Sequence, residues 1–367
     1  MALRCGLVGL PNSGKSTLFN ALVSGSAAVA SYPFCTIDPN IGVAAVPDSR
    51  LTRLHAVYPT AKVVPAMLEV VDIAGLVKGA SQGEGLGNTF LSHIRNVDAI
   101  LHVTRGFIHD DVPHLYGEPD PLRDIELIET ELLLSDLELL RRTADRAGKR
   151  AKAQDAAAQK EAAVLAQWLA CAEQGNVGAL TQLASREQMR LPAVDALQLL
   201  TTRPVLYLMN VGEKPAPRQA EWEAGIDKLS RERRARWLCF NGSLEAELAA
   251  LAPDERAVFL KELGLVESGL AAVVREAYAL LGLISFLTAG EKEVRAWPLR
   301  AGSTVAEAAG TIHSDMQRGF IKAEVVGYDE FTACGSMAAV REQGKLRIEG
   351  RDYIVKDGDL LVIRFNV

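Results

Sequence analysis

Apolar residues gather in short runs near positions 3–8, 41–46, 66–72, 97–103, 204–209 and 236–240, separated by polar or mixed stretches. Runs of this length suit buried strands. Their alternation with helical and loop segments predicts an α/β fold with a mainly parallel sheet. Between the fourth and fifth runs the period changes. From Leu122 to Arg150 there is no proline, and Ile125, Ile128, Leu132, Leu133, Leu137 and Leu140 recur at helical spacing. A second Ala-rich stretch, Gln159 to Ala172, carries Leu165, Trp168 and Leu169. The two predict an antiparallel helical hairpin, a coiled coil inserted in the sheet domain, with its tip within Ala151–Ala158. After Gly282 the pattern shifts again. Leu283–Thr288 is apolar and Val294–Leu299 alternates, Thr304–Gly310 suits a short helix capped by Ser303 or Thr304, and the stretches 320–326, 345–348 and 360–365 are strand-like. The predicted domains are therefore 1–121 with 201–282, an inserted 122–200, and a small mixed module at 283–367. No repeat or low-complexity tail interrupts them.

The chemistry sits where the predicted strands end. Gly9-Leu-Pro-Asn-Ser-Gly-Lys-Ser16 is a full G-x-x-x-x-G-K-[ST] phosphate loop, preceded by the first strand and followed by helical Thr17-Leu-Phe-Asn-Ala-Leu-Val. Gly9 and Gly14 let the backbone wrap a phosphate, so that the N–H groups around Asn12, Ser13, Gly14, Lys15, Ser16 and Thr17 form an anion nest at a helix N-terminus. Lys15 is expected to reach the β- and γ-phosphates, and the Ser16 hydroxyl to ligate Mg²⁺. Asp72-Ile-Ala-Gly75 follows the third run; Asp72 suits the Mg²⁺ site and the Gly75 N–H the γ-phosphate. Thr36 lies between these motifs and serves either as a further Mg²⁺ hydroxyl or as a capping residue. The strand Val205–Met209 ends in Asn210-Val-Gly-Glu213, where GTP-specific proteins of this class have N-K-x-D. Glu213 and Val211 replace the guanine-reading Asp and its Lys neighbour. Such a change favours ATP, with Asn210 on the purine edge and Val211 on a ring face, although a degenerate GTP site remains open.

Composition narrows the picture a little. With 367 residues, 49% of them hydrophobic, the chain can bury cores for two or three domains. A net charge of −6 excludes a polycation, so any RNA contact must be a local patch. One exists: Glu138–Lys160 holds seven basic residues (Arg141, Arg142, Arg146, Lys149, Arg150, Lys152, Lys160) against three acidic ones, a net of +4. Either it meets RNA phosphates or it is a solvated helical face. Cys5, Cys35, Cys171, Cys239 and Cys334 are scattered without C-x-x-C, which points to reduced, intracellular thiols, with Cys35 in the candidate switch loop beside Thr36. No signal-peptide pattern or membrane-length apolar run is present, so a membrane partner is not expected.

These motifs, with Tyr32-Pro-Phe-Cys-Thr-Ile-Asp-Pro-Asn, the run Asp72 to Ser81, the stretch Ala308 to Val325 and the ending Gly350 to Asp359, resemble the YchF, or Obg-like ATPase, family over residues 1–367. The resemblance implies a ribosome-associated ATPase on a GTPase-type fold, cytoplasmic, with Mg²⁺ as cofactor. Large-subunit and ribosomal RNA contacts, a monomeric state and no DNA partner go with it. The C-terminal module resembles a TGS domain, a β-grasp unit linked to RNA or ribosome contact. Family likeness places Phe107 over the adenine and His114 beside the attacking water. The position after Gly75, a water-orienting Gln in small GTPases, is Leu76 here. In related nucleotidases an Asn at the place of Asn12 holds K⁺ beside the phosphates. Where the family commonly has Ser-Ala-x-x-Glu, this chain has Asn241-Gly-Ser-Leu-Glu245; Thr104-Arg-Gly-Phe107 departs as well. A metabolic P-loop kinase is the competing class; the order D-x-x-G then N-x-x-E, and the lack of an Arg-rich lid segment, favour the hydrolytic switch.

Overall fold

A computed structural model of the chain describes residues 3–27, 40–73, 86–151, 156–187 and 197–366. The chain divides into two compact units. One takes Met1–Ser24, Thr36–Gly42 and Glu69–Val273; the other takes Gly25–Cys35, Val43–Leu68 and Val274–Val367.

The first unit is built on a six-stranded sheet of order β2-β4-β1-β5-β6-β7. These strands are β1 (Arg4–Val8), β2 (Ile41–Ala45), β4 (Met67–Asp72), β5 (Ala99–Gly106), β6 (Val205–Val211) and β7 (Arg236–Phe240). β1 pairs in parallel with β4 and β5, β5 with β6, and β6 with β7. All eight residues of β5 are buried, as a parallel strand covered on both faces requires. The six sequence-predicted strands are these six, each within about two residues except for the longer β5, whose polar Thr104 and Arg105 hid its end.

The predicted hairpin forms from α4 (Pro121–Ala151) and α5 (Ala156–Glu173), so both helices reach into the stretch assigned to its tip. α4 has two roles along one stripe. Ile128 and Leu132 pack into the sheet core with Val8, Ile94 and Ile100, and Ile125 packs with Tyr207 and Trp222. Further along, Leu133, Leu140 and Ala147 pack on Leu165, Trp168 and Ala172. The hairpin is thus rooted in the sheet unit. At the crossover, buried Asp136 accepts the Leu200 N–H at 2.9 Å, the Thr201 N–H at 2.8 Å and the Thr201 hydroxyl at 2.7 Å. That ties α4 to the segment that enters β6.

The second unit has a sheet of order β11-β10-β12-β8-β9-β3, made of β3 (Lys62–Val64), β8 (Leu283–Ala289), β9 (Glu293–Arg300), β10 (Phe320–Gly327), β11 (Arg347–Glu349) and β12 (Asp359–Phe365). Helix Val305–Ile312 packs Val305, Ala308 and Ala309 against Phe286, Val325 and Leu361. Its cap is Thr304, whose hydroxyl receives the Glu307 N–H while Glu307 returns a carboxylate to the Thr304 N–H. Residues 49–64, which the sequence reading left in the first domain, pack in this unit. β3 pairs in parallel with β9, and Arg50, on helix Ser49–Val57, bonds Asp357 at 2.8 Å. A three-residue strand carries too little pattern to be legible, and its partner is more than two hundred residues away. Among the described residues, no helix is long and apolar enough to cross a membrane.

Candidate functional site

The phosphate loop leaves β1 in the middle of the sheet and enters α1 (Lys15–Ala27). Gly9 is dictated by packing, since a Cβ there would lie 2.2 Å from the Val103 carbonyl oxygen on β5. The turn itself needs two left-handed residues, Asn12 at φ 63° and Gly14 at φ 97°. Asn tolerates this region and Gly occupies it without strain. The Ser13 side chain is buried beside Gly9, so a phosphate in the loop meets Ser13 through its backbone. Lys15 is buried, and its ammonium donates to the Leu10 carbonyl at 2.8 Å, closing the loop on itself. Burial pulls its pKa down to about 8, against the opposing pull of Asp72.

Ser16 and Asp72 meet: the hydroxyl donates to the carboxylate Oδ2 at 3.4 Å. Asp72 stands at the end of β4, beside β1 in parallel register, with Leu7 opposite Asp72. A hydroxyl and a carboxylate are hard oxygen donors, and that pair fits Mg²⁺, which takes one or two protein ligands and completes its shell with water and phosphate oxygens. Among the described residues no cluster of three His, Cys, Asp or Glu forms an all-protein metal cage. Thr36 and Gly75, expected at this site, and Cys35 and Leu76 lie outside the described residues.

A cavity of about 750 Å³ adjoins the loop. Asn12, Gly14 and Thr17 line it on the phosphate side. Phe107, Asn210, Val211 and Glu213 line it beyond, at the ends of β5 and β6. Seven sequence-predicted residues therefore share one cavity at the carboxyl ends of parallel strands, where α/β sheets bind ligands. Asn210 has a second role that the motif alone conceals. Its amide nitrogen donates to the Ser13 carbonyl at 3.1 Å, and its Oδ1 accepts the Gly242 N–H at 2.9 Å. It braces the phosphate loop against the start of the helix Gly242–Ala250, and one amide proton remains for a base. Arg105, buried, lays its guanidinium 4.5 Å from the Phe107 ring centroid and donates to the Phe107 carbonyl at 3.1 Å.

The departing segment 241–245 has structural duties. Asn241 caps its helix by accepting the Ser243 and Leu244 N–H groups, both at 3.1 Å. Glu245 is buried and accepts the Gly269 N–H at 2.6 Å; burial pushes its carboxyl up from the usual range, and backbone donors at residues 269 and 270 oppose that. Ser243 is exposed and lines the cavity.

His114 does not line this cavity. It lines a neighbouring one of about 480 Å³, with Arg105, Pro113 and Trp222. Its ring is held by Asp124, the first-turn carboxylate of α4, with Nε2 and Oδ2 3.0 Å apart. On the other side Nδ1 accepts the Tyr116 N–H at 3.1 Å. Asp124 and Arg105 are the residues that sequence reasoning missed. Asp124 looks like an ordinary charge near a helix start, and nothing local marks its partner.

Comparison with known proteins gives the family. Residues 4–134 match the family model described as 50S ribosome-binding GTPase. Residues 283–366 match the YchF-GTPase C-terminal model, described as a protein of unknown function, DUF933. The chain is 47% identical to the ribosome-binding ATPase YchF of Bacillus subtilis over 369 residues, covering all of both chains. It is 43% identical over 367 residues to the protein of that name from Escherichia coli O157:H7, again covering all of both. The solved structure of the Schizosaccharomyces pombe YchF GTPase superposes with a TM-score of 0.82 at 32% identity, covering 99% of this chain and 97% of that one. With a phosphate loop, an altered base reader and full-length likeness of this order, the chain belongs to the YchF family.

Proposed function

We propose that this protein is a ribosome-binding ATPase that hydrolyses ATP to ADP and phosphate and works as a conformational switch. The observation that carries this reading is the single cavity in which the phosphate loop faces Asn210-Val-Gly-Glu213. A guanine reader needs a short carboxylate beside the base. Here Glu213 is a methylene longer, and the nearby Gly242 N–H is already committed to Asn210 Oδ1. Phe107 and Val211 supply apolar cover that suits adenine. One relative is described as a GTPase, so base choice is the property to test. ATP is expected to bind about a hundredfold more tightly than GTP, because a lost polar reader is worth a few kcal/mol. Parallel titrations with fluorescent ATP and GTP measure this, and equal affinities refute it.

Ser16 and Asp72 would hold Mg²⁺, with Thr36 as the further hydroxyl expected from the sequence, and the bound ion would supply charge neutralisation at the β- and γ-phosphates. Lys15 neutralises the same phosphates, and the Gly75 N–H and Ser13–Thr17 backbone hold them. Asn12 suits a K⁺ ligand through Oδ1, its nitrogen being tied to the Pro113 carbonyl at 3.1 Å. His114 is the water-positioning residue in this reading. The C-terminal unit acts as a TGS domain, the protein works in the cytoplasm as a monomer, and the partner is the large ribosomal subunit.

The hairpin's basic face is the proposed contact for ribosomal RNA. Part of its charge is already paired: Arg141 with Glu173 at 3.1 Å, Arg142 with Glu138 at 3.3 Å and Arg150 with Glu161 at 2.8 Å. Such exposed pairs are weak and exchangeable. Arg146 and Lys149 are exposed and make no ion pair among the described residues. Arg146→Glu with Lys149→Glu should flatten the slope of log affinity against log salt by about 2 and release the protein from ribosomes at physiological salt. ATP hydrolysis without ribosomes should not change. Unaltered co-sedimentation would return the cluster to a solvated face.

A further inference from the structure

The loop that follows β5 holds its histidine shut. Only 1% of the His114 side chain and 2% of the Asp124 side chain are exposed. Nδ1 accepts the Tyr116 N–H, so it carries no proton. The ring proton is therefore on Nε2 and is donated to Asp124 Oδ2 across 3.0 Å. A ring with both nitrogens engaged has no lone pair for a water, and a ring this buried does not meet one. Arg123 closes the remaining side, with a guanidinium nitrogen 3.4 Å from Nδ1 and 3.6 Å from Asp124 Oδ1.

The backbone is placed otherwise. Asn12 of the phosphate loop donates to the Pro113 carbonyl at 3.1 Å, so the peptide that enters His114 lies beside the phosphate site while the ring turns toward α4. The same loop leaves Ile108 61% and Leu115 52% exposed, apolar surface that a rearrangement of the loop can bury. The clasp is also incompletely satisfied. Asp124 Oδ1 is buried and receives no hydrogen bond among the described residues, and burial holds the carboxyl above its ordinary pKa against the pull of His114. An under-satisfied buried carboxylate makes a closed state that a modest force opens.

We propose that Asp124 is a positioning residue that keeps His114 withdrawn, and that ATP turnover requires the His114–Asp124 bond to open. The proposal rests on the reading of His114 as the residue that positions water. The root of the hairpin then sets the basal rate, since Asp124 lies in the first turn of the 31-residue helix, about 46 Å long, whose far end carries the basic face.

The test is a double-mutant comparison at saturating ATP, Mg²⁺ and K⁺, with the His114 ring probed separately by diethyl pyrocarbonate and peptide mass spectrometry. Asp124→Asn keeps the shape and weakens the bond, so it should raise kcat about fivefold with KM unchanged, as expected for a shifted open population. The modification rate of His114 should rise in parallel. Asp124→Glu, which keeps the charge but displaces the carboxylate, should act in the same direction if Asn disturbs folding. His114→Ala should lower kcat about tenfold or more, and adding Asp124→Asn to it should give no gain. If His114→Ala is slow but neither Asp124 variant is faster than wild type, the clasp is refuted and the histidine reading stands. If His114→Ala turns over at the wild-type rate, the histidine reading falls and the clasp's role in turnover falls with it. A gain from Asp124→Asn that survives without His114 also overturns the proposal.

Discussion

Lys15→Ala is expected to lower ATP turnover about a thousandfold, the scale for losing one charged group preorganised at transferring phosphates. The reason lies in how Lys15 is stored. Its ammonium is buried and rests on the Leu10 carbonyl, with Asp72 as its nearby counter-charge. That arrangement is costly for a cation, and burial lowers its pKa to about 8. ATP brings the negative charge the site lacks, so binding favours the protonated form and raises the pKa again. Free protein therefore loses the Lys15 proton as pH rises through about 8, and ATP must restore it. Affinity should fall about tenfold between pH 7 and pH 9, with proton uptake visible as buffer-dependent binding heats in calorimetry. Lys15→Ala should lose both this pH dependence and the uptake. A pH-independent affinity in the wild-type protein would show that Lys15 stays charged without nucleotide.

Asp136→Ala should destabilise the first unit by about 3–5 kcal/mol. It removes the acceptor of three donors at once, from the Leu200 N–H, the Thr201 N–H and the Thr201 hydroxyl, in a site without solvent contact. Burial raises the Asp136 carboxyl pKa, and the hydrogen bonds from Thr201 and Leu200 oppose the rise. Urea unfolding, followed by tryptophan fluorescence, gives the loss directly. A midpoint unchanged from wild type would mean that water replaces the carboxylate. The consequence reaches the nucleotide site, because Thr201 leads into β6 and β6 carries Asn210 one residue before its end. A looser anchor should weaken ATP binding as well as stability.

Much of this protein is written locally. The phosphate loop needs Gly9 because β5 passes close by, and Gly14 because the turn is left-handed; those constraints fall on a few adjacent residues and are legible at once. The hairpin is legible because a helix repeats its buried stripe from Ile125 to Leu140, and the strands because each apolar run is continuous. The Thr304 cap is a matter of four residues, Thr304 to Glu307. In each case the signal lies within one short stretch of chain, so the order of residues records the element even where its packing partner is distant.

What tertiary structure alone decided are the partners of buried polar groups. Asn210 braces Ser13, whose carbonyl lies 197 positions earlier, and only the parallel ladder β1-β5-β6 brings them together. His114 is sealed by Asp124, ten residues on, because α4 begins with that carboxylate turned toward the loop; neither residue carries a pattern that names the other. Glu245 serves the N-terminus of the helix Gly269–Leu280, and β3 joins a sheet formed almost wholly by the last 85 residues of the chain. A buried donor must find an acceptor, but sequence fixes only that the need exists. Which group meets it depends on strand order and register, and those are settled by the packing of the whole chain.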